Sequence, residues 1–367
     1  MNQRMKALTA EGVSVWLDDL SRSRIESGNL EELIRDYSVR GVTTNPTIFA
    51  SALKTDAYLP ALAQERNLGS SATKAIFNIT TKDVADACDV FEKLYVESQG
   101  VDGRVSIEVS PDLAFDAEST VKEASALYQK VDRKNVMIKI PATLPGLEAI
   151  KQVTSQGISV NVTLIFSIER YEAVIDAYMS GLEAALEKGI DISQIHSVAS
   201  FFVSRVDTEV DRRLQSTNFE RLKSIAAVAN ARLAYDLFKR SFSSARWHSL
   251  QAKGARLQRP LMASTGVKDP ALPDTMYVSE LVAPNLVNTM PEKTLMAFAD
   301  HGETAGNSIE PKVEFAKKQL AELKSAGIDL QEVTDLLEKD GIDKFITSWH
   351  ELIQTVEHAL TGSQNAS

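Results

Sequence analysis

A short apolar run that gives way to a helical pattern recurs eight times along this sequence, and few folds accommodate that alternation. The runs are Val13–Leu17, Gly41–Thr44, Arg104–Val109, Asn135–Thr143, Ile158–Thr163, His196–Ser200, Pro260–Ser264 and Leu286–Asn288. They are apolar almost throughout, as parallel strands covered on both faces are. Between them the spacing changes to a helical period. Tyr171, Val174, Tyr178, Leu182 and Ala185 share one face of a helix that starts after Ser167 and stops at Gly189. The same reasoning predicts a helix from Leu30 to about Tyr37 behind an Asn29 cap. It predicts another behind a Thr81 cap, with Val84, Cys88, Phe91, Leu94 and Tyr95 on its buried side.

Strands and helices in alternation imply a parallel sheet with crossover helices. Eight units suit a (β/α)8 TIM barrel; a doubly wound sheet is the alternative on count alone. Against the latter, no Gly-x-Gly-x-x-Gly or Gly-Lys-Ser/Thr loop follows any run. The expected fold class is therefore α/β, a (β/α)8 barrel in a single domain over residues 1–367. The barrel occupies about 13–300. A helical insert at about 206–258 is longer than one crossover requires, and C-terminal helices at about 309–361 pack on the barrel. Phe345, Trp349, Leu352, Val356 and Leu360 form one stripe there, facing either the barrel or a partner, so both a monomer and a homodimer remain open.

A net charge of −10 and the absence of a long basic run give no support to nucleic-acid or anionic-membrane binding. A local phosphate site needs only a few cations and is not excluded. The only cysteine, Cys88, forms no intrachain disulfide, which suits a reducing compartment, and its place on a helical stripe reads as a small buried hydrophobe. Met1–Gly12 lacks the apolar centre of a signal peptide, and no stretch approaches the ~20 apolar residues of a membrane span. A cytoplasmic location without membrane contact is expected.

One lysine, Lys139, interrupts the fourth run. An ammonium there is costly unless it is paired, reaches water along its stem, or is kept for chemistry. An unprotonated amine attacks carbonyl carbon. Polar residues also mark the other runs' ends: Asp18, Asn45, Glu108, Asn161 with Thr163, Ser200 with Arg205, Lys268 and Asn288. In a barrel these ends meet on one face, where such enzymes place their chemistry. Singly, Asn45 reads as a turn residue before Pro46, Asp18 as a cap and Arg205 as a solvated helix residue. Together they supply an amine, two carboxylates, carboxamides and cations. The five histidines show no ligand pair near a strand end, and no Gly-x-Ser-x-Gly elbow is present. What remains is a Schiff-base lyase or aldol-group transferase acting on a phosphorylated carbonyl compound.

Gly41-Val42-Thr43-Thr44-Asn45-Pro46, Val136-Met137-Ile138-Lys139-Ile140-Pro141-Ala142-Thr143 and Asn161-Val162-Thr163-Leu164-Ile165-Phe166-Ser167 resemble the transaldolase family, in order, within a match from Trp16 through Pro291. Ser264-Thr265-Gly266-Val267-Lys268-Asp269-Pro270 and the helical insert are similar to its longer bacterial branch. The resemblance implies a class I aldolase barrel that needs no metal or organic cofactor and transfers a dihydroxyacetone unit between sugar phosphates in the non-oxidative pentose phosphate pathway. It implies that Lys139 forms the Schiff base, Asp18 takes the C4 hydroxyl proton, and Glu108 with a water on Thr163 moves protons. Asn45 and Asn161 would bind the dihydroxyacetone hydroxyls, and Ser200 and Arg205 the phosphate. The family's second phosphate cation is an arginine; here Lys268 stands nearby and would bind as a point charge. Phe202 matches the family's aromatic, where related fructose-6-phosphate aldolases, the hydrolytic alternative, carry a tyrosine. A non-catalytic sugar-phosphate-binding barrel is the alternative of another class.

Overall fold

The computed structural model describes residues 1–362. Eight strands form one closed, wholly parallel barrel: β1 (Val13–Leu17), β2 (Val39–Val42), β3 (Arg104–Glu108), β4 (Val136–Pro141), β5 (Val160–Ile165), β6 (Ser197–Phe202), β7 (Gln258–Ala263) and β8 (Leu286–Met290). β1 pairs with both β2 and β8, which closes the ring and leaves no edge. The strands are almost entirely buried, because crossover helices cover the outside while side chains fill the inside. The doubly wound alternative falls to this closure.

Helices separate successive strands, and several boundaries differ from expectation. The helix before β3 runs unbroken over Ala72–Glu97, capped by the Ser71 hydroxyl, which accepts from Lys74 N–H at 3.3 Å. Thr81 is therefore no cap but a buried mid-helix residue. Its hydroxyl donates to the Phe77 carbonyl one turn back at 2.6 Å, a bond that lets threonine sit inside a helix. Asn29 is likewise the first residue of its helix (Asn29–Tyr37) and not its cap. The cap is Gly28, and the Asn29 carboxamide accepts from Arg24.

Between β6 and β7 the chain forms helices Ser204–Leu214, Ala226–Ser241 and Ala245–Gln251. Asp207 ties the first to the second by accepting from Ala227 N–H at 2.8 Å, and it also accepts from the Tyr277 hydroxyl at 2.7 Å. Ala226–Ser241 packs on β7 and on the neighbouring crossover helix Ile168–Glu187, so it serves as the barrel's own crossover.

The last helix, Leu330–Thr361, lies across the ends of several strand–helix loops. Thr47 bonds Ser348 at 2.8 Å, Asp112 bonds His350 at 2.9 Å, Arg170 pairs with Glu338 at 3.3 Å and Arg213 with Glu332 at 3.2 Å. Each surface pair is worth little alone. The apolar stripe contributes more: Phe345, Leu352 and Val356 are buried against the rest of the chain. Among the described residues no helix is long and apolar enough to cross a membrane.

Candidate active site

Strand register sets the centre of the site. Glu108 of β3 lies opposite Lys139 of β4, which lies opposite Asn161 of β5. The Lys139 side chain is 5% exposed and that of Glu108 4%. Lys139 Nζ donates to the Thr44 carbonyl at 2.9 Å and stands 3.3 Å from Glu108 Oε2. That contact is an ion pair without hydrogen-bond alignment, so Oε2 remains a buried acceptor with no hydrogen bond. Burial pushes Glu108 up to about 7, against the pull of the Lys139 ammonium. A carboxyl in that range gives and takes protons near neutrality. Phe345, from the last helix, puts its ring centroid 5.6 Å from Nζ.

Asp18 follows β1, with its N–H bonded to Met290 O at 2.9 Å. Its Oδ1 accepts from the Thr43 hydroxyl at 2.7 Å, and Thr43 lies 2.8 Å from the Thr289 hydroxyl. Since Thr43 has spent its one proton on Asp18, Thr289 is the donor. Burial raises the Asp18 pKa, and Lys139 and the Thr43 bond oppose it.

The pairing of β5 with β6 slips after Val162, and Leu164 takes a left-handed φ of 59°. For leucine that conformation costs about 1–2 kcal/mol, strain of the kind that accumulates at functional sites. Beside it, Thr163 Oγ1 is buried without a hydrogen bond. Arg205, in the first turn of Ser204–Leu214, also has a buried nitrogen, Nη1, without a partner. Its guanidinium carbon lies 5.2 Å from the Phe202 ring. Burial lowers the Arg205 pKa, opposed by Asp18 and Asp340.

Asp18, Asn45, Lys139, Thr163, Ser200, Phe202, Arg205, Lys268 and Phe345 line one cavity of 140 Å³. Lys268 sits exposed at its rim. A larger cavity of 540 Å³ next to it shares Asn45, is lined by Glu108 but not Lys139, and is mostly apolar. The smaller one holds the convergent polar groups and is the better candidate for chemistry.

Two residues expected here already have hydrogen-bond partners in the fold. The Asn45 carboxamide oxygen caps helix Pro46–Ala52 through Ile48 N–H at 3.0 Å, leaving its NH2 to donate. Asn161 is fully buried, accepting from the Ser200 hydroxyl at 2.7 Å and donating to Ser106 Oγ at 3.0 Å. Asn288 is also buried away from the cavity, bonded to Thr265 and Tyr277. Sequence reasoning missed Thr43, which holds Asp18, and Phe345, which covers Lys139. The one signal for the latter was Gly341, a glycine inside a helical pattern one turn earlier. Among the described residues no group of 3 or more His, Cys, Asp or Glu side chains is placed to hold a metal ion.

Compared with known proteins, residues 15–356 match the family model described as transaldolase/fructose-6-phosphate aldolase. The match extends beyond the Trp16–Pro291 stretch into the last helix. A transaldolase of Renibacterium salmoninarum is 55% identical over 99% of this chain and 98% of its own length. Transaldolases of an Arthrobacter strain and of Mycolicibacterium smegmatis are 53% and 54% identical, over 100% and 99% of both chains respectively.

Proposed function

This chain belongs to the transaldolase/fructose-6-phosphate aldolase family, and we propose that it transfers a dihydroxyacetone unit between a ketose phosphate and an aldose phosphate through a Schiff base on Lys139. The observation that carries the reading is the buried Lys139 amine, 3.3 Å from Glu108 and in one cavity with Asp18. A binding barrel needs no such nucleophile.

The chemistry follows from the groups present. The Lys139 amine adds to C2 of fructose 6-phosphate or sedoheptulose 7-phosphate. Glu108 gives a proton to the departing C2 oxygen, which leaves as water, and a cationic imine remains. Asp18 takes the C4 hydroxyl proton. The C3–C4 bond breaks, its electron pair moves into the imine, and an aldose phosphate leaves while an enamine stays on Lys139. That enamine adds to the carbonyl of a second aldose phosphate, Asp18 returns the proton to the new alkoxide, and water releases the ketose. Thr163, with its free hydroxyl, and Glu108, with its free Oε2, are suited to hold that water. Arg205 and Lys268 supply positive charge for the phosphate, and the Asn45 NH2 and Ser200 line the same space.

Phe202 carries no hydroxyl to protonate the enamine, which favours transfer over release of free dihydroxyacetone. The reaction belongs to the non-oxidative pentose phosphate pathway and its expected compartment is the cytoplasm. The whole chain is read as one domain, working as a monomer or a homodimer. Borohydride reduction in the presence of fructose 6-phosphate, followed by mass mapping, should place one dihydroxyacetone adduct on Lys139 and none on Lys139→Ala. An adduct elsewhere refutes the mechanism. Free dihydroxyacetone released as fast as it is transferred would assign the hydrolytic reaction instead.

A further inference from the structure

At the opposite end of the barrel, where the strands begin, lies a second polar cavity of 240 Å³. Arg104, the first residue of β3, is 1% exposed there. Its Nε donates to Gly100 O at 2.7 Å and its Nη1 to Lys134 O at 3.2 Å, but Nη2 is buried without a hydrogen bond. The Tyr95 ring lies 4.9 Å from its guanidinium carbon. Among the described residues no carboxylate pairs with Arg104; Asp102 pairs instead with Arg259 at 3.2 Å. Arg256, Arg259 and His196 line the same cavity, and no acidic residue does. Arg256 is half-buried, with Nε donating to Ser193 O at 3.3 Å.

Next in sequence to the cavity-lining Val101 is Gly100, whose φ is +81°. A Cβ there would stand 2.9 Å from His196 Nε2 and 3.1 Å from Arg104 Nη2, so both nitrogens converge on one place. Burial and the three guanidiniums hold His196 down to about 2, so its imidazole is neutral and offers one N–H. A purely structural role accounts for two of the Arg104 nitrogens and for Arg259, which is held by Asp102, Ser14 and Val101. It leaves the third Arg104 nitrogen without a partner, and Arg256 with one backbone bond and no carboxylate. Buried positive charge with no counter-charge is costly. Planar guanidiniums satisfy oxyanions with paired, charge-assisted hydrogen bonds.

We propose that this cavity binds a phosphoryl oxyanion, as inorganic phosphate or as the phosphate of a monoester, held by Arg104, Arg256 and His196 on the barrel face away from Lys139. The site is separate from the mouth and independent of the reaction there. Its volume, several times a water molecule's ~30 Å³ share of liquid, admits a tetrahedral anion.

The test uses the full chain carrying Arg205→Gln and Lys268→Gln, which weakens phosphate binding at the mouth. Inorganic phosphate and glycerol 1-phosphate are titrated separately by calorimetry and by tryptophan emission. Trp247 lines the cavity, and Trp247→Phe identifies its share of the signal. Saturable binding is expected, weakened about tenfold or more by Arg256→Gln and lost with Arg104→Gln. A response to both ligands or to phosphate alone supports the site and distinguishes its two sources. If Arg104→Gln fails to fold by circular dichroism, Arg256→Gln decides. No saturable binding at millimolar phosphate, or binding indifferent to Arg256→Gln, overturns the proposal.

Discussion

Gly341→Ala separates the last helix as a passive cover from the last helix as part of the site. In an exposed helix this exchange stabilises by about 1 kcal/mol. Here the new methyl would stand 2.9 Å from Leu164 Cδ2 and 3.6 Å from Arg205 Nη1. Ordinary contact begins near 3.4 Å, so Leu164 or the helix must yield by about half an ångström. Leu164 is 1% exposed, and its backbone is already held in the left-handed region, so it has little room to move. Overfilling such a place costs about 1–3 kcal/mol, which leaves the variant between neutral and about 2 kcal/mol less stable. The displacement reaches Thr163 along the chain and Arg205 by contact. A 1 Å error in positioning costs roughly 100-fold in rate, so half of that should lower kcat/KM about tenfold. Aldose phosphate release from fructose 6-phosphate, read through a coupled dehydrogenase, gives the rate, and urea unfolding gives the stability. In a double-mutant cycle, adding Leu164→Ala should cost less than its effect in the parent, since it removes the clash. A Gly341→Ala variant stabilised by the full helical increment, with unchanged kcat/KM, would refute the reasoning.

Two further outcomes follow from buried carboxyls. Glu108, held up at about 7, should give the parent a bend in kcat/KM near that pH, and Glu108→Gln should remove the bend along with most of the rate; an unchanged profile in the variant excludes Glu108 as the proton carrier. Asp207 is raised to about 6 by burial, although Ala227 N–H and Tyr277 OH favour its ionised form. The folded state therefore holds its proton more tightly than the unfolded state, where the value is 3.8, so this stabilisation is complete below that pH and is lost as pH rises through 6. By linkage the loss is of order 2–3 kcal/mol. Asp207→Asn should escape it, so its stability relative to the parent should improve between pH 4 and 7 in urea titrations, and a difference that stays flat with pH contradicts the assignment.

The barrel was legible because parallel strands buried on both faces leave an unmistakable apolar run, and eight of them admit few closures. Lys139 stood out for the same reason: a charge inside such a run has to be explained. Asp18, Glu108 and Thr163 became visible once strand ends were read as one face. Helix caps were less legible. Thr81 and Asn29 have capping chemistry, but a threonine can bond back to its own helix and an asparagine can serve a neighbouring arginine, as both do here. The commitment of Asn161 to Ser106 and Ser200 depends on register across three strands, which a linear pattern does not carry. Phe345 was hidden differently. A stripe tells that a face is buried, not what it is buried against, and the amine it covers lies in a distant part of the chain.

That separation has a consequence for biosynthesis. Lys139 leaves the ribosome about 200 residues before Phe345, which at roughly 5–20 residues per second is ten to forty seconds earlier. The barrel can close only once β8 has followed, at Met290, and from then until Phe345 emerges it holds its amine and both carboxylates, yet it lacks the aromatic ring over Nζ and the helix against Leu164 and Arg205. The order of synthesis thus acts as a timer: the assembled mouth, with its reactive lysine covered, arrives only with the final segment.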